Sequence, residues 1–203
     1  MIKNIIFDLG NVLISFIPSE YLRNKNYPVP FQNRILADIF KSPEWKKLDN
    51  GDITVQEAIE SISRKSTLKR EEIALVFNFR TDIMFPLDDN TRLLPELKKQ
   101  GYRLFYLSNF HLDTFETVKN DYYFFRYFDG GVVSSLVKLS KPDPKIYKHL
   151  LSKYDLNPEE SLYIDDVGEN VRAAESVGMH ILFTNGSPKI SSELWKKLEI
   201  PGK

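Results

Sequence analysis

Four short apolar runs, each followed by a polar or acidic residue, constrain this chain more than any other feature. They cover residues 2–7, 102–107, 161–164 and 180–184, with 131–134 a weaker fifth. Each is apolar on nearly successive positions, the pattern of a parallel strand covered by helices on both faces. Helix-length patterns lie between them. Residues 91–100 stop at Gly101, which suits the left-handed position beyond a helix end. Residues 144–154 follow Asp143, a good N-cap, and open on Pro144. Residues 169–177 stop at Gly178. Strand and helix therefore alternate from residue 91 onward, which predicts an α/β fold, a doubly wound (Rossmann-like) parallel sheet.

Residues 18–86 break the alternation. They carry helical patterns over 19–26, 31–41, 43–48, 55–64 and 70–79, and no convincing strand; Thr54 and Glu57 have capping-box spacing. The expected organisation is a core domain of residues 1–17 and 87–203 with an all-helical cap of 18–86 inserted after the first strand. Hinges are expected near 15–18 and 85–87.

Ligands of open α/β sheets bind beyond the carboxyl ends of the strands. Asp8-Leu9-Gly10-Asn11 follows the first strand, Ser108-Asn109 the second and Asp165-Asp166 the fourth. Lys141 precedes the helix that starts at Pro144. Each piece alone has a bland reading: a tight turn at Gly10-Asn11, a helix N-cap at Ser108, a solvated Lys141, an exposed acidic turn at Asp165-Asp166. Together, at ligand-facing strand ends, they suit phosphoryl transfer. Paired carboxylates bind Mg2+, a cation and hydrogen-bond donors hold phosphoryl oxygens, and a carboxylate attacks phosphorus.

The segments FDLGNVLI, LFYLSN, SKPDPKIY and LYIDDVGEN resemble, in order, the four motifs of the haloacid dehalogenase (HAD) superfamily. The helical insert resembles its C1-type cap, and DNGDITVQEAI resembles a cap segment of the subfamily with phosphoglycolate phosphatase and β-phosphoglucomutase. The resemblance implies a Mg2+-dependent phosphatase acting on a small-molecule phosphate ester through an aspartyl-phosphate on Asp8. Its metal ligands would be Asp8, the Gly10 carbonyl, Asp166 directly and Asp165 at one remove, with Ser108, Asn109 and Lys141 binding substrate phosphate. One position departs from the family. Gly10 stands where an acid/base Asp is usual, so proton transfer to the leaving group is expected to be unassisted. A subset with the same DLGNV string resembles an α-glucose-1-phosphate phosphatase, which makes sugar 1-phosphates a reasonable first substrate. The alternatives are a 2-haloacid dehalogenase, a phospho-receiver domain and a non-catalytic phosphate-binding relative. The acidic pair argues against the dehalogenase, and motif order and the insert argue against the receiver.

Charge and composition narrow the partners. Lys+Arg and Asp+Glu balance at 28 each, giving no global field for nucleic acid or an anionic membrane. With no Cys there are no disulfides or thiolate sites, which fits a reducing compartment, and the cytoplasm is the expected location. The apolar N-terminus carries Asp8 and reads as a strand rather than a signal peptide. The pattern gives no oligomeric state. His149 and His180 read as surface and strand residues, His111 as a helix start or a group near the site. Phe16 and Trp45 read as cap packing or as substrate contacts, Trp195 as structural.

Overall fold

The structure is a computed structural model that describes residues 1–78, 81–187 and 189–198. Its centre is a parallel sheet of β1 (Asn4–Phe7), β4 (Arg103–Ser108), β5 (Gly130–Val133), β6 (Ser161–Asp165) and β7 (His180–Phe183), ordered β5-β4-β1-β6-β7. A separate antiparallel ribbon joins β2 (Ile14–Phe16) to β3 (Met84–Pro86). The α/β prediction and its five strands hold, each within two residues of the expected bounds.

Alternation along the strands divides the interior. Ile5 and Phe7 of β1 pack on one face with Leu94, Leu97, Phe115 and Trp195; Ile6 packs on the other with Ile146, Tyr147, Leu150 and Val171. Helices Leu93–Lys99, Leu112–Asp121 and Ser191–Lys197 supply the first face, Pro144–Tyr154 and Gly168–Ser176 the second. Burying a side chain of this size contributes about 1.5–3 kcal/mol, so both faces must be covered. The expected stops hold: Gly101 and Gly178 have φ of 88° and 91°. Asp143 caps its helix by accepting from the Lys145 N–H at 2.9 Å. The single helix expected over 91–100 is instead two, Asp88–Thr91 and Leu93–Lys99. Pro95 cannot donate to the preceding turn, so the ladder breaks there.

Between the ribbon strands lie helices Pro18–Asn24, Val29–Ile35, Pro43–Asp49, Val55–Ser63 and Arg70–Asn78. Val29–Ile35 runs on through a wider turn at Leu36–Phe40. The expected end of the last helix, residue 79, lies outside the described residues. Thr54 and Glu57 form the reciprocal capping box, with bonds of 3.2 and 2.7 Å. These helices bury their own apolar cluster, among it Leu22, Ile39, Trp45, Ile62 and Phe77, apart from both sheet faces.

One expectation for this stretch is wrong. Residues 84–86 form β3, paired Ile14↔Pro86, Ser15↔Phe85 and Phe16↔Met84. The chain thus enters and leaves the helical block through one short ribbon, at the two places expected to hinge. Among the described residues no helix is long and apolar enough to cross a membrane.

Candidate active site

Parallel pairing sets the site. Phe7 lies opposite Tyr106 on one side and Ile164 on the other, so Asp8, Ser108 and Asp165 emerge together at the ends of three adjacent strands. Lys141 reaches in from the loop before Pro144, its Nζ 2.9 Å from Asp8 Oδ1 and 2.8 Å from Asp165 Oδ2. The Asn109 side chain holds that loop from both sides. Its Nδ2 donates to the Lys141 carbonyl at 3.0 Å, and its Oδ1 accepts from the Lys141 N–H at 2.9 Å. The sequence reading gave the Asn109 side chain to phosphate; here its first task is to position the lysine.

The carboxylates differ in how they are held. Asp8 Oδ1 also accepts from the Leu9 N–H at 2.7 Å, and Ser108 hydrogen-bonds the same side chain. Asp165 is fully buried and accepts from Lys141, the Tyr163 hydroxyl, the Val167 N–H and the Asn170 amide. Tyr147 fixes that last partner, its hydroxyl donating to the Asn170 carbonyl at 3.0 Å. Asp166 is more open and takes a bond from Asn11.

Three acids around one lysine leave an excess of negative charge. Burial, reinforced by Asp165, pushes Asp8 up to about 7 despite Lys141 and Ser108. Burial and Asp165 likewise raise Asp166. Burial pulls Lys141 down, but Asp8 and Asp165 outweigh it and hold the ammonium above its usual range. Asp8, Asp165 and Asp166 each present a carboxylate oxygen within 4.8 Å of the others. Hard oxygen donors carrying surplus charge fit a divalent cation.

At the turn after Asp8 the left-handed residue is Asn11, with φ of 52°, not Gly10. A Cβ on Gly10 would meet nothing within 4 Å, so the missing acid is not a steric demand of this backbone. Asn11 Oδ1 accepts from the Phe16 N–H at 2.9 Å while its amide reaches Asp166, tying the ribbon to the acidic pair.

Above Asp8 lies a cavity of about 240 Å³ that the helical block helps to close. Ile14, Phe16, Trp45, Met84, Phe110 and Val167 form its apolar walls. His111 begins the helix Leu112–Asp121 and also lines the cavity, so both readings of it hold. Its Nε2 lies 3.0 Å from Asp49 Oδ1 of the helical block, and Trp45 stands edge-on at 4.4 Å.

A family model for haloacid dehalogenase-like hydrolases matches residues 2–178. The chain belongs to that family. This HAD-like hydrolase is 31% identical to the sesquiterpene phosphatase astK of Aspergillus oryzae, over 87% of each chain. It is 27% identical to mouse acyl-CoA dehydrogenase family member 10 over 98% of its own length, but spans only 19% of that protein. Among solved structures it resembles a predicted HAD-like hydrolase from Porphyromonas gingivalis, with TM-score 0.76 and 25% identity over 98% of each chain. A HAD family enzyme from Bacteroides thetaiotaomicron, solved with magnesium and inorganic phosphate, shares the fold at TM-score 0.71 and 24% identity, covering 90% of this chain and 94% of its own.

The motif residues of this hydrolase converge: Asp8, Ser108, Asn109, Lys141, Asp165 and Asp166 meet around one point, with Gly10 on the cavity wall. Sequence reasoning did not give a role to Asn11, Asp49 or Tyr163. Tyr163 had a signal, since it lies two residues before Asp165 on the same strand face. Asp49 opens the cap segment DNGDITVQEAI, but its contact with His111 arises only through the packing of the block on the sheet.

Proposed function

We propose that this hydrolase is a Mg2+-dependent phosphatase of a small phosphate monoester, with Asp8 as nucleophile. The observation that carries it is the buried carboxylate of Asp8, held 2.9 Å from the Lys141 ammonium beside two further carboxylates at the ends of parallel strands. The phosphatase activity named for astK and the magnesium and phosphate bound by the Bacteroides enzyme support the same reading.

Asp8, the Gly10 carbonyl and Asp166 would hold the ion directly, with Asp165 orienting the group through Lys141, Asn170 and Tyr163. Bound there, Mg2+ supplies positive charge that lets two anions approach and favours the ionised form of Asp8. Lys141 holds Asp8 and offers charge to phosphoryl oxygens; the Ser108 hydroxyl donates to them. Asp8 attacks phosphorus, the ester oxygen departs with the bonding pair, and water cleaves the aspartyl-phosphate. Asp166 gives the acidic cluster a use that metal-free dehalogenation lacks. The helical block acts as the cap that shields the reacting centre.

The test is phosphate release from p-nitrophenyl phosphate, with and without Mg2+, alongside trapping of an acid-stable, base-labile phosphoenzyme. Magnesium-dependent release and a phosphoenzyme absent from Asp8→Asn are expected. Fluoride release from a haloacid without magnesium, and no phosphate release, would overturn the proposal.

A further inference from the structure

The cavity above Asp8 divides sharply by polarity. Every polar group at its floor belongs to the catalytic constellation. The wall side chains able to hydrogen-bond a leaving group are Asp49, His111, Thr114 and, through its indole N–H, Trp45. Asp49 and His111 are joined to each other at 3.0 Å, and the remaining ring nitrogen of His111, Nδ1, is buried away from solvent without a partner. The Thr114 hydroxyl lies 3.5 Å from Asp113. The remaining wall side chains are apolar. Phe16 and Trp45 stack with planes 23° apart, and Phe77 stacks on Trp45 in turn, so one wall is built from aromatic rings. Ile14, Met84, Phe110 and Val167 complete the apolar lining.

A polyhydroxylated leaving group could pair with these few polar groups, but each hydroxyl turned to the apolar walls would go without a partner, at a cost of roughly tenfold or more in affinity. A hydrocarbon gains instead, by roughly fourfold per buried methylene. The volume, about 240 Å³, sits below the range of roughly 300–1,000 Å³ typical of drug-sized ligands, which restricts the guest to a small one.

We propose that, as a phosphatase, this chain takes monoesters of small apolar alcohols, above all phenols, rather than sugar phosphates. The leaving group packs against Phe16 and Trp45 while its phosphate lies at Asp8 and Lys141. This rests on the phosphatase reading and adds the substrate class to it. A phenol also suits Gly10. When the phosphorus–oxygen bond breaks, the electron pair leaves on a phenolic oxygen that carries charge well and needs no proton from the missing acid.

Matched pairs separate polarity from leaving-group quality. 4-Ethylphenyl phosphate and phosphotyrosine share a phenolic leaving group, but only phosphotyrosine is zwitterionic beyond the ring. Hexyl phosphate and glycerol 3-phosphate are both primary alkyl esters, and the inductive effect of the extra hydroxyls favours glycerol. In saturating Mg2+ the apolar member of each pair is expected to have at least tenfold higher kcat/KM. Phe16→Ser should lower the hexyl-to-ethyl phosphate ratio by about tenfold, with folding checked by circular dichroism. Calorimetric titration gives a second readout, hexylphosphonate binding at least tenfold more tightly than methylphosphonate. Turnover that favours the polar member of both pairs would overturn the substrate class and leave the phosphatase standing. Hexylphosphonate selectivity with no ester cleaved would overturn the phosphatase and leave the apolar site standing. Neither turnover nor selectivity would overturn both.

Discussion

Two buried centres face each other across the cavity and are built from opposite materials. Below, Asp8, Lys141 and Asp165 bury charge and tolerate it because almost every polar atom is matched, Asp165 by Lys141, Tyr163, Val167 and Asn170. Above, Phe16, Phe40, Trp45 and Phe77 bury rings against one another, with centroids 4.7–6.1 Å apart. The lower centre depends on distances and charges that admit few substitutes, because an unmatched buried charge costs several kcal/mol. The upper one depends on volume and shape, which many side chains can satisfy. A site made this way keeps its chemistry fixed and leaves its selectivity free to vary.

The sharpest way to break the lower centre is Asp8→Asn. Turnover should fall by roughly 10³-fold or more, read as phosphate release in saturating Mg2+. A residual rate above a tenth of wild type would remove the nucleophile. The same variant should also be more stable than wild type in metal-free buffer. Because the folded pKa of Asp8 is raised from 3.8 to about 7, its contribution to stability is lost as pH rises across that interval. The difference between variant and wild type should therefore widen from pH 4 to pH 8, reaching about 2–4 kcal/mol. A gap that narrows with rising pH would contradict this.

Asp165→Ala and Phe77→Ala set the two centres side by side. Each should cost about 3–5 kcal/mol in urea unfolding, the first by leaving Tyr163 and Asn170 without their acceptor, the second by opening a cavity. The difference lies in repair: Phe77→Leu should recover most of its loss, whereas Asp165→Leu should not. Recovery in both would mean the polar network matters only for its volume.

Asp166→Ala should leave stability nearly unchanged and raise the magnesium concentration needed for half-maximal activity about 10–100-fold. Asp165 is saturated with protein donors and Asp166 is not, so equal metal sensitivity in their alanine variants would erase that division. The smallest expected effect is that of Gly10→Asp. The turn has room for a Cβ, and an added acid should flatten the dependence of log kcat/KM on leaving-group pKa, raising alkyl-ester rates about tenfold. An unchanged slope with chemistry rate-limiting would point to another proton donor.

The lower centre was legible because its residues are tied to local pattern. Asp8, Ser108 and Asp165 follow apolar runs of strand length, and parallel pairing brings such ends together without further information. The Asn109 clamp on Lys141 was not legible, since it joins groups 32 residues apart through backbone atoms that any residue carries. The helices of the block could be read from their caps, Thr54 with Glu57 among them. The ribbon could not: three residues show no period, and Pro86 argues against a strand until the pairing is seen to be an edge. The Asp49–His111 contact lies deeper still, because it depends on how the block rests on the sheet.

The ribbon has a consequence for descent. Ser15 and Phe85 are partners across it, so the chain departs and returns at points only about 5 Å apart. A connection that starts and ends at one place makes no geometric demand on the sheet beneath, whatever its length. The whole helical segment between could be exchanged for a different one, or shortened to a plain turn, without altering a single strand register. Lineages sharing the acid–lysine floor could thus acquire new chemical tastes by trading roofs, while the sheet half of the molecule stayed as it was.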